Sequence, residues 1–374
     1  MNKFEEKDGV DSVIPAILQR AENRINTLEE NPLEKEEIYN ELFKEKVVLI
    51  TGGTGFLGRA LIREILKYHP ASIRVFSRDE VKHHLLQEEF NHHPRLRSLI
   101  GDIRDYSRVK RACRGVNIVI HAAALKRLDV LEYNVDESIK TNILGTLNVV
   151  NACWECDVEK AIFISTDKAC SPVNTYGACK FVSERIFTES NYSRGFKKTI
   201  FTCVRYGNVL ESTGSVIPFF ESKIQHKEKI PLTDREMTRF IISPKQAVDL
   251  VINALRYGVG GEIFVPQLPA FKIIDLIEIL KEKHQSHNEI EVIGIRPGEK
   301  IHELMINSSE IPRTYKFEDM FMITSSIEKY PEIKEAEYLS KGKLLNKDWT
   351  EYSSKNEVIS KEHIIDLFRS IKLL

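Results

Sequence analysis

The chain lacks any apolar run of membrane-spanning length, and Met1 to Val10 is acidic with no apolar segment or small-residue cleavage site behind it, so neither an anchor nor a secretory leader is expected. Cysteine is sparse. Four of the six (Cys153, Cys156, Cys179 and Cys203) fall inside predicted regular elements, which speaks against a disulfide framework and for a reducing, cytoplasmic setting. Neither sign of charge dominates: 54 Lys and Arg against 55 Asp and Glu leave a net charge of -1, with no general attraction for nucleic acid or an anionic membrane. Small molecules are the expected partners. Internal repeats and low-complexity tracts are also missing, and 42% hydrophobic with 29% charged residues places the chain among soluble globular proteins.

What is present is length and pattern. A chain of 374 residues exceeds the size at which one core stays efficient, so a nucleotide-binding domain plus a smaller lobe is expected. Residues 1–44 are charged and helix-prone, with Ile14, Leu18, Ala21, Ile25 and Leu28 forming one apolar stripe before Asn31-Pro32. From Lys46, short apolar runs alternate with amphipathic stretches: Val47–Ile50, Ile73–Phe76, Leu96–Ile100, Ile118–Ile120, Ala161–Ile164 and Ile200–Val204. Such alternation predicts an α/β, Rossmann-type doubly wound parallel sheet over residues 45–206, with the active site at the strands' carboxyl ends. Beyond Gly207 recurrent prolines mark a smaller, mainly substrate-binding lobe over 207–374, with helices predicted at Pro244–Tyr257 and Phe271–Glu282. A segment around 240–266, including an expected strand at Ile263–Val265, should return to the first domain.

Thr51-Gly-Gly-Thr-Gly-Phe-Leu-Gly58 stands between an apolar strand and an amphipathic helix. Gly52 and Gly55 let backbone approach a pyrophosphate, Gly58 lets helix pack on strand, and the amides of Phe56 and Leu57 at the helix start face the anion. The second strand ends in Ser77-Arg78, where a hydroxyl and a guanidinium suit a 2'-phosphate, so NADP is favoured over NAD; Asp79 and Glu80 close by temper that preference. Asp102 and Ile103 after the third strand are placed to cap the adenine. Ala122 and Ala123 after the fourth let backbone pass near the cofactor, although packing accounts for these alanines equally well.

The fifth strand runs into Ser165-Thr166-Asp167-Lys168, and Tyr176 with Lys180 follows on the next predicted helix. A spacing of four puts both side chains on one helix face, where the ammonium can lower the phenol pKa. At this point the chain resembles the extended short-chain dehydrogenase/reductases, and within them the soluble UDP-N-acetylglucosamine 4,6-dehydratases that invert C5. The resemblance runs nearly end to end through TGGTGFLG, FSRDE, GDIRD, HAAALKRLDVLEYN, STDKACSPVNTYGACK, RYGNVLESTGSVIPFF, MTRF, GEIFVPQLP, IGIRPGEKIHELMI and EYSS.

The resemblance implies oxidation of a UDP-sugar at C4, loss of water across C5 and C6, and return of the same hydride to C6, in a route to surface sugars of the pseudaminic acid kind. It implies that Tyr176 takes the C4 hydroxyl proton, with Lys180 tuning it and binding the nicotinamide ribose. Lys168 would remove the C5 proton, for which it must be neutral, and a protonated Asp167 would protonate the departing C6 hydroxyl. By the same resemblance Lys126, Asn208, Arg239, Arg296 and Glu299 contact the nucleotide sugar, while Arg205 and Lys300 either contribute or form structural salt bridges. UDP-N-acetylglucosamine is the first expected substrate and a homo-oligomer the expected assembly, with residues 1–44 covering an oligomer surface. Cys179 departs from the usual threonine and reads as tolerated packing. A UDP-sugar C4 or C5 epimerase and a noncatalytic dinucleotide sensor are the alternatives; a simple C4 epimerase needs no C5 base, and a sensor need not keep Asp167, Lys168, Tyr176 and Lys180. His83, His84, His92 and His93, around a predicted surface helix and loop, lack a metal-ligand pattern, and no metal is expected.

Overall fold

Runs of β-branched and aliphatic residues flanked by turns form the core of the molecule, because strands apolar on both faces are stable only between two helical layers. The computed structural model describes residues 32–193, 195–210, 216–327 and 336–370; the stripe from Ile14 to Leu28 lies outside them. The first six strands are β1 (Val47–Thr51), β2 (Ser72–Ser77), β3 (Leu96–Ile100), β4 (Ile118–His121), β5 (Lys160–Ile164) and β6 (Ile200–Val204). Each matches the apolar run that predicts it to within one residue at either end. They pair in parallel in the order β6-β5-β4-β1-β2-β3, the doubly wound arrangement in which strand order reverses between β1 and β4. A crevice opens there at the carboxyl ends.

Ile263–Pro266 pairs with β6 in parallel and adds a strand from the second half of the chain to the sheet. Met320–Ile323 and Thr314–Phe317 form an antiparallel hairpin on Ile263–Pro266, and Lys343–Leu344 completes a ten-stranded sheet. The strand Met320–Ile323 is buried throughout and closes the edge that Ile263–Pro266 would otherwise leave open. The outermost strands differ in kind: β3 carries exposed Arg97 and Ser98, while Lys343–Leu344 has only two residues, both exposed.

The second lobe has its own core, built from Ile217, Phe220, Ile230, Leu232, Leu276, Ile277 and Phe368. Short ladders over Asn208–Val209, Thr238–Ile242 and Ala270–Lys272 carry the chain from the large sheet into this lobe. The helix Pro32–Phe43 packs on the large domain, burying Tyr39 and Phe43; the Tyr39 hydroxyl donates to Asp249 at 3.0 Å. Helix Pro244–Tyr257, which carries Asp249, starts with a capping box between Ser243 and Gln246 and has proline at its first position.

Candidate active site

The glycine turn sits at the carboxyl end of β1, beside the switch point. Gly52 has φ +69°, and a Cβ there would lie 2.8 Å from the Ala123 backbone, so both conformation and space require glycine. A Cβ on Gly58 would meet the Gly53 carbonyl at 2.4 Å and push the helix Phe56–Ile65 off the turn. That helix begins at Gly55 with no side-chain cap, whereas Asp79, Asp105 and Ser243 cap the starts of helices Glu80–Glu89, Tyr106–Cys113 and Pro244–Tyr257. Its first-turn amides, Phe56 and Leu57 among them, are left for an anionic ligand. The buried imidazole of His121 pins the turn from beneath. Thr51 Oγ1 lies 2.6 Å from its Nδ1 and Thr146 Oγ1 lies 3.1 Å from its Nε2. Because Thr146 donates to the Asn142 carbonyl, Nε2 must carry the ring proton and Nδ1 accepts from Thr51.

At the end of β2, the Ser77 hydroxyl accepts from Thr54 at 3.0 Å and lies 3.0 Å from His83 Nε2. His83 is therefore not a surface histidine as expected but buried, with its pKa lowered by that burial. Arg78 is half exposed and touches Asp102 only at 3.7 Å. Asp102 is held mainly by Arg104, through its backbone amide and its guanidinium. Ile103 points into the core against Gly145, so packing rather than an open adenine wall accounts for it. The backbone of Ala122 and Ala123 lines the turn, with the Ala123 amide donating to Thr51 Oγ1 at 3.3 Å.

The reacting groups converge at the end of β5. Asp167 is buried; its Oδ1 accepts from Thr166 at 2.8 Å and from Lys168 Nζ at 3.1 Å, and its Oδ2 has no partner among the described residues. Lys168 Nζ also lies 3.5 Å from Glu303 Oε1. Burial lowers the Lys168 pKa, yet the carboxylates of Asp167 and Glu303 outweigh it and hold the ammonium above its usual range. The isolated site therefore holds Lys168 charged, not neutral as its expected role requires. Tyr176 is the second residue of the helix Thr175–Ser193, where a Cβ on Gly177 would lie 2.3 Å from the Lys168 carbonyl, so the start of the helix packs directly on the turn that carries Asp167 and Lys168. Burial raises the Tyr176 pKa to about 12, with Lys168 the cation that opposes it. Lys180 does not act on the phenol as its spacing suggested. It donates to the Ile164 carbonyl at 2.7 Å, lies 4.3 Å from the centroid of the Phe163 ring, and is lowered to about 8 by burial.

The residues expected to bind substrate divide by exposure. Lys126, Asn208 and Arg296 are exposed. Asn142, in the π-turn Ile139–Leu144, clamps the amide and carbonyl of Leu125 and so fixes the approach of Lys126. Arg239 is largely buried and holds its own loop, donating to the carbonyls of Thr238, Lys300 and Ile301, with Nε 3.7 Å from Glu303. Glu299 accepts from Thr233 at 3.2 Å. The loop Arg296–Lys300 is tied to the catalytic helix: Asn174 Nδ2 donates to the Gly298 carbonyl while Asn174 Oδ1 accepts from the Gly177 amide. Arg205 and Lys300 both have partners within the protein. Arg205 is fully buried between Glu184 and Glu310, and Lys300 Nζ donates to the Cys170 carbonyl.

A family profile described as polysaccharide biosynthesis protein matches residues 48–325, a span holding the glycine turn, Asp167, Lys168, Tyr176 and the loop at Arg296. The chain belongs to this polysaccharide biosynthesis family. Among the family member's relatives, the UDP-N-acetylglucosamine 4,6-dehydratase (inverting) of Campylobacter jejuni is 47% identical over 288 residues, covering 76% of this chain and 85% of its own. The UDP-glucose 4-epimerase of Rickettsia rickettsii is 40% identical over 286 residues, 75% of this chain and 84% of its own. The solved structure of Pen from Bacillus thuringiensis superposes with a TM-score of 0.81 at 40% identity, covering 89% of this chain and 99% of that one.

Two groups of this polysaccharide biosynthesis protein escape a linear reading. Asn142 follows Lys140-Thr141 with nothing in the sequence to mark it, and its role comes from the fold, which sets its side-chain amide against the amide and carbonyl of Leu125. Glu303 is a lone acid before the apolar strand Leu304–Ile306. Only the fold brings it to Lys168 and Arg239.

Proposed function

We propose that the chain is an NADP-dependent UDP-N-acetylglucosamine 4,6-dehydratase that inverts C5. The observation that carries this reading is the Asp167–Lys168 pair at the end of β5, 3.1 Å apart, with Asp167 buried, Lys168 partly buried and Tyr176 close enough to feel both charges. A C4 epimerase needs no base at C5. The identity to the Campylobacter jejuni dehydratase supports the same choice over the epimerases, which are less similar.

A nicotinamide dinucleotide fits the residues present: the uncapped helix start would take the pyrophosphate, and Lys180 would meet the nicotinamide ribose. Arg78 and Ser77 favour a 2'-phosphate, and Asp79, the acid that tempered this preference, is engaged as the cap of helix Glu80–Glu89. When bound, the nicotinamide supplies the two-electron chemistry at C4 and C6. Tyr176 accepts the C4 hydroxyl proton, its high pKa opposed by Lys168. Transfer of one proton from Lys168 Nζ to Asp167 Oδ1, across 3.1 Å, yields a neutral amine and a neutral acid together. The amine then takes the C5 proton and the acid protonates the leaving C6 hydroxyl, which restores the original ion pair.

We read the protein as cytoplasmic and homo-oligomeric. Its six cysteines are free thiols, and Tyr133, Ile139, Leu144, Phe181 and Val182 expose apolar surface near the catalytic helix. The test is incubation with UDP-N-acetylglucosamine, UDP-N-acetylgalactosamine and UDP-glucose in deuterated water, followed by NMR. A new C6 methyl with solvent deuterium at C5 is expected, first with UDP-N-acetylglucosamine. Inversion at C4 with C6 unchanged would establish an epimerase instead.

A further inference from the structure

Glu303 is 3% exposed, yet among the described residues its carboxylate makes only two long ion-pair contacts, 3.5 Å to Lys168 Nζ and 3.7 Å to Arg239 Nε. Oε2 is buried without a hydrogen-bond partner. The backbone does not depend on this side chain. The Glu303 amide donates to Ser354 Oγ at 2.9 Å, the Ser354 amide donates to the Glu303 carbonyl at 2.8 Å, and Ser354 Oγ lies 2.7 Å from Thr238 Oγ1. A buried carboxylate with so little hydrogen bonding is costly to the fold, and its charge falls on the groups next to it, Lys168 and Arg239.

We propose that Glu303 is a positioning residue for the elimination, holding Lys168 Nζ against Asp167 and providing the counter-charge for the ammonium that forms as Lys168 takes the C5 proton. This rests on the dehydratase reading. At rest Asp167 and Glu303 balance Lys168 and Arg239. After the proton moves from Nζ to Asp167, the Glu303–Arg239 pair remains and the site is still neutral. Then the C5–H proton goes to Nζ, the electron pair of that bond forms C5=C6, the C6–O bond breaks, and the Asp167 proton leaves with the hydroxyl as water. The positive charge reappears at Nζ, 3.5 Å from Glu303 Oε1. The charged and titratable groups facing Lys168 are Asp167, Tyr176, Glu303 and Arg239, of which Asp167 and Glu303 favour the ammonium and Arg239 opposes it.

The test compares wild type, Glu303→Gln and Glu303→Asp for kcat, KM, the pH profile of kcat, deuterium uptake at C5 and binding of UDP by calorimetry. For Glu303→Gln, kcat and C5 deuterium uptake should fall about tenfold or more, with KM and UDP affinity held. Loss of the negative charge should also move the alkaline limb of the profile down by about one pH unit, because the proton shared by Lys168 and Asp167 is then lost more easily. Glu303→Asp should lower kcat while leaving that limb in place. A Glu303→Gln enzyme with raised KM but unchanged kcat and pH profile would reduce Glu303 to loop support and overturn the proposal. Should Glu303→Gln fail to fold, an unchanged kcat in Glu303→Asp would overturn it equally. Absence of C6 methyl product from wild type would instead remove the dehydratase reading itself.

Discussion

At the scale of single residues, the site is a problem of where one proton resides. The carboxylates of Asp167 and Glu303 outweigh burial and favour the charged form of Lys168, so in the mechanism proposed above it becomes a base by handing a proton to Asp167. Replacing Lys168 with Ala should therefore lower kcat by roughly 10²–10⁴ and abolish deuterium uptake at C5. C4 oxidation should persist, seen as reduced nicotinamide absorbance on adding substrate; normal turnover would refute the assignment of the C5 base. The cofactor end turns on Arg78, half exposed and only loosely paired with Asp102. Arg78→Ala should weaken NADP binding about tenfold, as one lost charge-assisted contact predicts, and leave NAD binding unchanged in direct titration. Equal weakening of both would place the 2'-phosphate elsewhere.

At the scale of elements, the catalytic helix is held by contacts that tolerate no added atom. Gly177 brings the helix Thr175–Ser193 against the Lys168 carbonyl, and a Cβ 2.3 Å from that oxygen must displace one or the other. Gly177→Ala should cut kcat about a hundredfold while dinucleotide affinity falls by much less, because the turn at Gly52 holds the pyrophosphate even where Lys180, on the displaced helix, loses the ribose. Affinity lost in parallel with kcat would show that the two segments are mechanically coupled. The strands β1 to β6 were legible because continuous apolar runs between turns have few other structural solutions. The hairpin Thr314–Phe317 and Met320–Ile323 was not, since its four-residue strands carry little periodicity and their place depends on the exposed edge left by Ile263–Pro266. Tyr176, Asp167 and Lys168 were visible as a motif close in sequence. Glu303 and Asn142 act on groups far along the chain, and the redirection of Lys180 to the Ile164 carbonyl is a matter of side-chain orientation that spacing does not encode.

At the scale of the whole molecule, His121 connects the site to acid stability. It is buried under the glycine turn and its pKa is depressed to about 3, burial being the main cause, against 6.5 ordinarily. The unfolded chain binds this proton more readily between those values, so His121 lends stability that is present above pH 6.5 and lost as pH falls towards 3. The contribution to the slope approaches about 1.4 kcal/mol per pH unit well inside the window. Urea midpoints from pH 6.5 to 4 should fall more steeply for wild type than for His121→Gln; parallel slopes would show that carboxylates alone set the acid limit. The extended sheet has a different consequence at its two ends. β3 presents Arg97 and Ser98, and the opposite end finishes on two residues that include Lys343. Among the described residues neither edge offers a long apolar template, since exposed Ile100 and Leu344 stand beside Arg97, Ser98 and Lys343, which disfavours backbone pairing between neighbouring molecules when the chain is crowded.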